Sequence, residues 1–203
     1  MYNSWKSWLC GMAVLAAAPL AGATPLINQE ANVHAVNMAN FSQRDLAQSF
    51  QQSAPTIAGA GIFLVPDMGR TDTVTISLWN NLPNAAGTML AQASVAGTAG
   101  QWADVFWSPV AIAANTTYYL VFGGNNTLAI AGDTNNGYGL GQVYANTGYQ
   151  SFANFDYAFR TFAAPVPEPT TVYLLLAGLG VLLLARRQHA GKSLRVKAAS
   201  QPA

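Results

Sequence analysis

The sequence of 203 residues is poor in the side chains that carry most protein chemistry. It has one cysteine, Cys10, which lies in a leading segment that we expect to be removed. Between residues 24 and 166 it has no lysine and a single histidine, His34. Without thiols this part of the chain cannot form a disulfide or a thiolate metal site, and it has no thiol nucleophile. At 143 residues it is long enough to bury a core without such cross-links.

The same region is acidic, which limits its partners. It carries three arginines and seven acidic residues, a net charge of −4, whereas the whole chain has +1. A lysine-free acidic surface has few cations with which to displace counterions from phosphates, so we exclude nucleic acid as a partner.

Candidates for catalysis are equally few. A nucleophilic triad needs an imidazole beside the nucleophile, and His34 lies in an Asn-rich stretch expected to precede the folded domain. A glycosidase needs two convergent carboxyl groups, for which Asp104 and Asp156 are the candidates on strands. We expect Asp156 instead to pair with Arg160, and we predict no catalytic residues and no enzymatic activity.

The amino terminus has the three parts of a secretory signal peptide. Lys6 precedes an apolar stretch from Leu9 to Leu20, and Ala21 and Ala23 form a small-x-small cleavage pattern. We predict cleavage before Thr24, with an uncleaved membrane anchor as the alternative.

The carboxyl-terminal quarter has a second apolar run, at residues 172–185, followed by Arg186 and Arg187. As a helix it would span about 21 Å, short of the roughly 30 Å hydrocarbon core, although the arginines can snorkel to the interface. The alternative is a buried core helix. Because five basic residues follow the run, we predict a transmembrane helix with its tail in the cytoplasm and the body outside.

The order of motifs in this quarter resembles the PEP-CTERM sorting signal of exported bacterial proteins. The motif residues are Val166, Pro167, Glu168 and Pro169, ahead of the apolar run and the two arginines. The resemblance implies anchoring in the inner membrane and then processing by an exosortase-type membrane protease near the Pro-Glu-Pro residues. It also implies release to the cell envelope or the outside, and an association with exopolysaccharide and biofilm.

The body between these ends alternates β-type segments with turn signals. In residues 73–79, Val74, Ile76 and Leu78 share one face, and Thr73, Thr75 and Ser77 share the other, as in a half-buried strand. Further strands are predicted at 46–50, 57–65, 89–95, 102–107, 117–122, 128–131, 141–144 and 155–162. We therefore predict an all-β fold, an antiparallel β-sandwich of about eight or nine strands.

The strand succession also resembles the jelly-roll ectodomains of bacterial surface proteins. The segments that carry this resemblance are 48–50, 100–107, 116–121 and 155–160. The predicted organisation is a signal peptide at 1–23, an extension at 24–45 with at most a weak helix, a β-sandwich at 46–162, a Pro-rich linker at 163–171, a transmembrane helix at 172–185 and a basic tail at 186–203.

One segment of the body, residues 132–150, combines aromatic rings with amides. It places Tyr138, Tyr144 and Tyr149 among glycines and the amides of Asn135 and Asn146. Exposed rings beside amides can stack on sugar rings and bond their hydroxyls, which makes a carbohydrate-binding module our alternative function. The competing interpretation is a Gly-rich loop whose tyrosines cover the sheet edge.

A metal site has a weaker basis in the same segment. Asp133 and Asn135 present oxygen-bearing side chains at alternate positions of a loop, which suits a hard cation such as Ca²⁺. The loop does not match the EF-hand spacing, and a simple turn explains it as well. We predict no other cofactor.

Overall fold

A computed structural model describes residues 25–66, 70–164, 176 and 178–180. Within this part of the chain the body is all-β, with one 3₁₀ turn at Pro83–Ala85. Its strands are β1 Leu26–Ala31, β2 Val36–Asn40, β3 Leu46–Gln51, β4 Thr56–Phe63, β5 Thr71–Trp79, β6 Met89–Thr98, β7 Trp102–Ala111, β8 Thr117–Gly124, β9 Ala129–Asp133, β10 Val143–Ala145, β11 Gln150–Phe152, β12 Asp156–Tyr157 and β13 Phe159–Ala163.

The strands form three antiparallel sheets. A four-stranded sheet has the order β1-β13-β4-β7, and a six-stranded sheet has the order β11-β10-β3-β8-β5-β6. The third sheet, β12-β9-β2, has three strands. Consecutive strands often lie in different sheets, so the chain crosses repeatedly between the two larger sheets.

One hydrophobic core joins the inner faces of the larger sheets. In β5 the predicted alternation is confirmed, since Val74, Ile76 and Leu78 have no exposed surface. From the opposite sheet, Phe159 places its ring 6.3 Å from that of Phe50 in β3. This architecture is consistent with the predicted jelly-roll-like sandwich.

The structure adds strands that the sequence pattern did not indicate. The stretch 24–45, predicted as an extension with at most a weak helix, contains β1, paired with β13, and β2, paired with β9. Each has one buried residue, Ala31 and Ala39, so neither shows a clear apolar alternation. The predicted count of eight or nine strands was therefore too low.

The predicted final strand is divided in two. Residues 155–162 were expected to form one strand, but β12 pairs with β9 whereas β13 pairs with β1 and β4. The change of sheet occurs at Ala158, whose N–H donates to Ala131 in β9 and whose carbonyl accepts from Phe63 in β4.

The two terminal segments lie largely outside the described residues. This applies to the signal peptide with Ala21 and Ala23, to the motif at 166–169, and to Arg186 and Arg187. Of the predicted membrane helix, Leu176 and 178–180 are described, and they are helical. In the described part of the chain, no helix has the length and apolar character to cross a membrane.

The outer face of the four-stranded sheet carries an ion-pair cluster centred on Arg160. Its Nε donates to Asp104 Oδ1 at 2.8 Å, its Nη2 donates to Asp104 Oδ2, and its Nη1 lies 3.9 Å from Glu30. The guanidinium also lies over the Trp102 ring, 4.3 Å from its centroid. The expected pairing of Arg160 with Asp156 was wrong, because Arg160 lies beyond the change of sheet at Ala158.

Gly61 of β4 lies directly beneath this cluster, which makes it a test of the packing. A Cβ at this position would overlap Asp104 Oδ1. We expect Gly61→Ala to lower the free energy of unfolding by about 1–3 kcal/mol, and to cost less in an Asp104→Ala background where the obstructing atoms are gone. Urea unfolding of the four proteins of this cycle measures the difference.

Gly123→Ala is the matched control, since a Cβ there meets no atom within 4 Å. It should leave stability unchanged or slightly raised, because alanine restricts the unfolded chain. If Gly61→Ala lowers the free energy of unfolding equally with and without the Asp104 side chain, then Asp104 is not the group that a Cβ at position 61 meets.

Candidate functional site

The second half of the segment 132–150 is tied to the six-stranded sheet. Its β10 pairs with β3, and the Gln142 backbone N–H donates to Ser49 Oγ at 2.9 Å. The Gln142 carbonyl accepts from the Ser49 N–H at 3.0 Å. Gly141 is necessary for this contact, because a Cβ there would overlap the Ser49 carbonyl oxygen.

Tyr138 does not present the exposed ring that the sequence suggested. It is only 7% exposed, and its ring stands perpendicular to that of Phe159 at 4.9 Å. Its hydroxyl donates to the Gln51 carbonyl at 2.9 Å, and Gln29 Oε1 lies 3.0 Å away. Burial raises the pKa of this hydroxyl. The expectation that Tyr138 stacks on a sugar was wrong, because its ring belongs to the core.

Asp156 is the centre of a buried polar network beneath this segment. It is 1% exposed; its Oδ1 accepts from Gln48 Nε2 at 3.0 Å and its Oδ2 accepts from the Tyr138 N–H at 2.9 Å. Gln48 Oε1 in turn accepts from the Tyr157 N–H at 2.9 Å. The network therefore joins β3, β12 and the loop after β9, at Tyr138.

Desolvation is the main cause that raises the pKa of Asp156. The donors from Tyr138 and Gln48 act in the opposite direction, and the charge of Asp133 raises it further. Asp133 is close because it is the register partner of Asp156 across β9 and β12. Each donor to Asp156 thus stabilises its ionised form in a site that otherwise disfavours charge.

Tyr144 and Tyr149 remain partly accessible near the β10–β11 hairpin. The Tyr144 ring packs edge-on against Tyr119 at 5.7 Å, and its hydroxyl accepts from Gln142 Nε2 at 2.9 Å. Tyr149 and Asn146 adopt left-handed backbone angles, with φ of 54° and 65°. Left-handed φ is uncommon for a bulky residue, so the hairpin turn fixes the backbone of Tyr149 in a conformation that few tyrosines adopt.

Asp133 and Asn135 come together, but through mutual hydrogen bonds. Asp133 Oδ1 accepts from both the backbone and the side-chain amide of Asn135, each at 3.1 Å. This is the geometry of an Asx turn. Among the residues that the structure describes, no cluster of three or more His, Cys, Asp or Glu side chains could hold a metal. The calcium site stays a prediction.

The residues considered for catalysis are dispersed. Asp104 belongs to the Arg160 cluster on the four-stranded sheet, whereas Asp156 lies in the three-stranded sheet. His34 is exposed, with its ring 4.2 Å from Phe63 and its Nδ1 3.3 Å from the Asn32 carbonyl.

The structure also forms a polar cleft that the sequence did not suggest. It has a volume of ≈ 360 Å³, and its polar lining includes Asn37, Asn40, Arg70 and Asn126. These residues come from separate parts of the chain and share no motif, so only the folded sheets bring them together.

Comparison with known proteins identifies one feature of the chain. The family described as the PEP-CTERM protein-sorting motif matches residues 165–188. No curated protein and no solved structure shows significant similarity to the chain.

The buried network gives a prediction with a defined pH dependence. We expect Gln48→Met to lower the free energy of unfolding by about 2–4 kcal/mol at pH 7, because it strands the Tyr157 N–H and removes a donor from Asp156. Without that donor the folded-state pKa of Asp156 rises further above its unfolded value. Protonation of Asp156 removes the cost of its buried charge, and this helps the variant more than the wild type. The loss of unfolding free energy caused by Gln48→Met should therefore be smaller at pH 5 than at pH 7.

Gln52→Met is the matched control. Urea unfolding at pH 5 and at pH 7 measures the free energy of unfolding of both variants and of the wild type. Gln52 is 1% exposed and donates to the carbonyls of Thr56 and Ala54, with no carboxylate partner. The loss of unfolding free energy caused by Gln52→Met should be the same at both pH values. A pH-independent loss for Gln48→Met would show that Asp156 does not depend on it.

Proposed function

Because the chain carries a PEP-CTERM protein-sorting motif at residues 165–188, we propose that it is a non-enzymatic protein of the cell envelope or extracellular matrix, released by exosortase and associated with exopolysaccharide. The motif marks an exosortase substrate that is exported and anchored in the membrane before processing. The non-enzymatic role and the exopolysaccharide association are the proposal.

The position of the motif supports processing without damage to the fold. The last strand, β13, ends at Ala163, two residues before the matched segment begins. Cleavage near Pro167 would therefore leave every described strand pairing in the released body. It would also remove five of the nine basic residues, which leaves the body acidic.

The environment of the carboxylates supports a non-enzymatic role. Asp104 is paired with Arg160, and Asp156 accepts bonds from Gln48 and Tyr138. Asp72 accepts from Thr127 at 2.5 Å, and this bond is the largest of the hydrogen-bonding causes that lower its pKa. These acids serve the fold through donors within the chain, whereas a catalytic acid or base must address a substrate.

Processing is tested by the mass of the mature protein. In cells with an exosortase, we expect an amino terminus at Thr24 and a carboxyl terminus at or near residues 167–169. Glu168→Ala should leave most of the protein with its original end, whereas Glu30→Ala, a control in the body, should be processed normally. Intact-mass spectrometry of cells with and without the exosortase measures both. A terminus at Ala203 in most of the wild-type protein would contradict processing.

Saccharide binding at the β10–β11 hairpin is a second candidate function. The observation in its favour is the accessible pair of Tyr144 and Tyr119 beside the amide of Gln142. An aromatic surface with adjacent donors suits the apolar face and hydroxyls of a pyranose ring. Tyr149 and Asn146 lie in the adjoining turn.

A glycan array with the full chain tests this candidate. Tyr144→Ala should reduce binding about tenfold or more, because it removes the aromatic surface on which the apolar face of the sugar would lie. Leu140→Ala is the control, since this side chain is 54% exposed in the same segment but is not aromatic. No wild-type signal above background, or equal binding by both variants, would remove the candidate.

A further inference from the structure

The polar cleft is a second surface of the body, built from separate strands and connections. Its lining includes Asn37 and Asn40 from β2, and Arg70, the residue just before β5. It also includes Asn126 and Thr127 from the turn between β8 and β9. A register shift in β2 between Asn37 and Ala39 places Asn37 and Asn40 on the same cleft. The cleft is distinct from the segment 132–150.

Four of the polar side chains that line it have hydrogen-bonding groups without a partner among the described residues. In the part of the chain that the structure describes, the side-chain carboxamides of Asn37, Asn40 and Asn126 form no hydrogen bond, and Arg70 forms no ion pair. Arg160, by contrast, is neutralised by Asp104 and Glu30. Three carboxamides and one guanidinium thus line one space, and none of them bonds to another described residue through its side chain.

The walls of the cleft are held by hydrogen bonds behind the lining. The Val65 N–H donates to Ala129 at 2.9 Å, and the Ala99 N–H donates to the Arg70 carbonyl at 2.9 Å. Asp72 fixes the β8–β9 turn, since it accepts from Asn125 at 2.6 Å and from Thr127 at 2.5 Å. A site whose walls are already bonded loses little conformational entropy on binding.

The chemistry of the lining selects the class of ligand. A guanidinium pairs with a carboxylate through two parallel bonds, and carboxamides can both donate to and accept from hydroxyls. The single lining arginine, in a body of net charge −4, favours a monoanion over a phosphate that carries nearly two charges. The volume of ≈ 360 Å³ is near the lower end of the roughly 300–1,000 Å³ of small-molecule sites, which suits one or two sugar rings.

We propose that this cleft binds a carboxylate-bearing sugar, a hexuronate, with Arg70 on the carboxylate and Asn37, Asn40 and Asn126 on the hydroxyls. The ligand is either a free uronate or a uronate residue of an acidic polysaccharide, which present the same chemistry to the cleft. The site does not depend on exosortase processing or on the tyrosines of the hairpin.

Calorimetric titration of the purified full-length protein tests the site, with sodium glucuronate, glucose and inorganic phosphate as probes. Glucuronate should bind at least tenfold more tightly than either of the others, because only it offers both a single carboxylate and ring hydroxyls. Equal binding of glucose, or tighter binding of phosphate, would overturn the proposal. A short oligouronate that binds more tightly than the monomer would identify a polysaccharide as the source, and equal binding would identify the free sugar; either result supports the site.

Two variants and one control locate the ligand. Arg70→Ala should weaken glucuronate binding about tenfold or more. The nearly isosteric Asn126→Asp should weaken glucuronate binding more than glucose binding, because the added charge repels only the anion. Arg44→Ala removes an exposed arginine that does not line the cleft and should change nothing. Thermal unfolding confirms that each variant is folded. Unchanged binding by folded Arg70→Ala, or an equal loss with Arg44→Ala, would exclude this cleft, whereas the processing of the chain would be untouched.

Discussion

The buried hydrogen bonds made by Gln48 and Asp156 are the constraint on which much of the structure depends. Gln48 has no exposed surface, yet it links β3 of the six-stranded sheet to β12 of the three-stranded sheet. Asp156 extends the link to the backbone of Tyr138, and so attaches the segment that follows β9. A buried carboxylate is tolerated only with such donors, so the network specifies one arrangement of these elements. The β10–β11 hairpin with Tyr144 and Tyr149 pairs with β3, the strand that carries Gln48.

Positive charge is scarce in the body, and its three arginines have different environments. Arg160 forms ion pairs with Asp104 and Glu30 and stacks on Trp102, so its charge is neutralised within the fold. Arg70 lines an open cleft among asparagines instead. The body is acidic and has no lysine, so an arginine among asparagines is one of its few places that attract an anion. This contrast separates a structural cation from one that faces a ligand-sized space.

Prediction from sequence succeeded where the pattern was local and failed where pairing was distant. The period-two segments of β5 and β8 were identified because one face of each is buried by the core. The strands β1 and β2 were missed, since each buries one alanine and is held mainly by backbone bonds to β13 and β9. Tyr138 was misplaced for a related reason: the composition of its segment resembles an exposed loop, but its hydroxyl and N–H have partners far along the chain.

The amino-acid sequence by itself determined the sorting motif, the acidic and thiol-free character of the body, and its all-β class. Each of these depends on residue order or composition within a short window, and needs no knowledge of distant neighbours. Only the tertiary structure decided which tyrosine is buried, which acid Arg160 meets, and which asparagines share a cleft with Arg70. These depend on strand pairing between residues that are more than a hundred positions apart in the sequence, as in β1 and β13. A shift of one residue in such a pairing would turn every side chain to the other face.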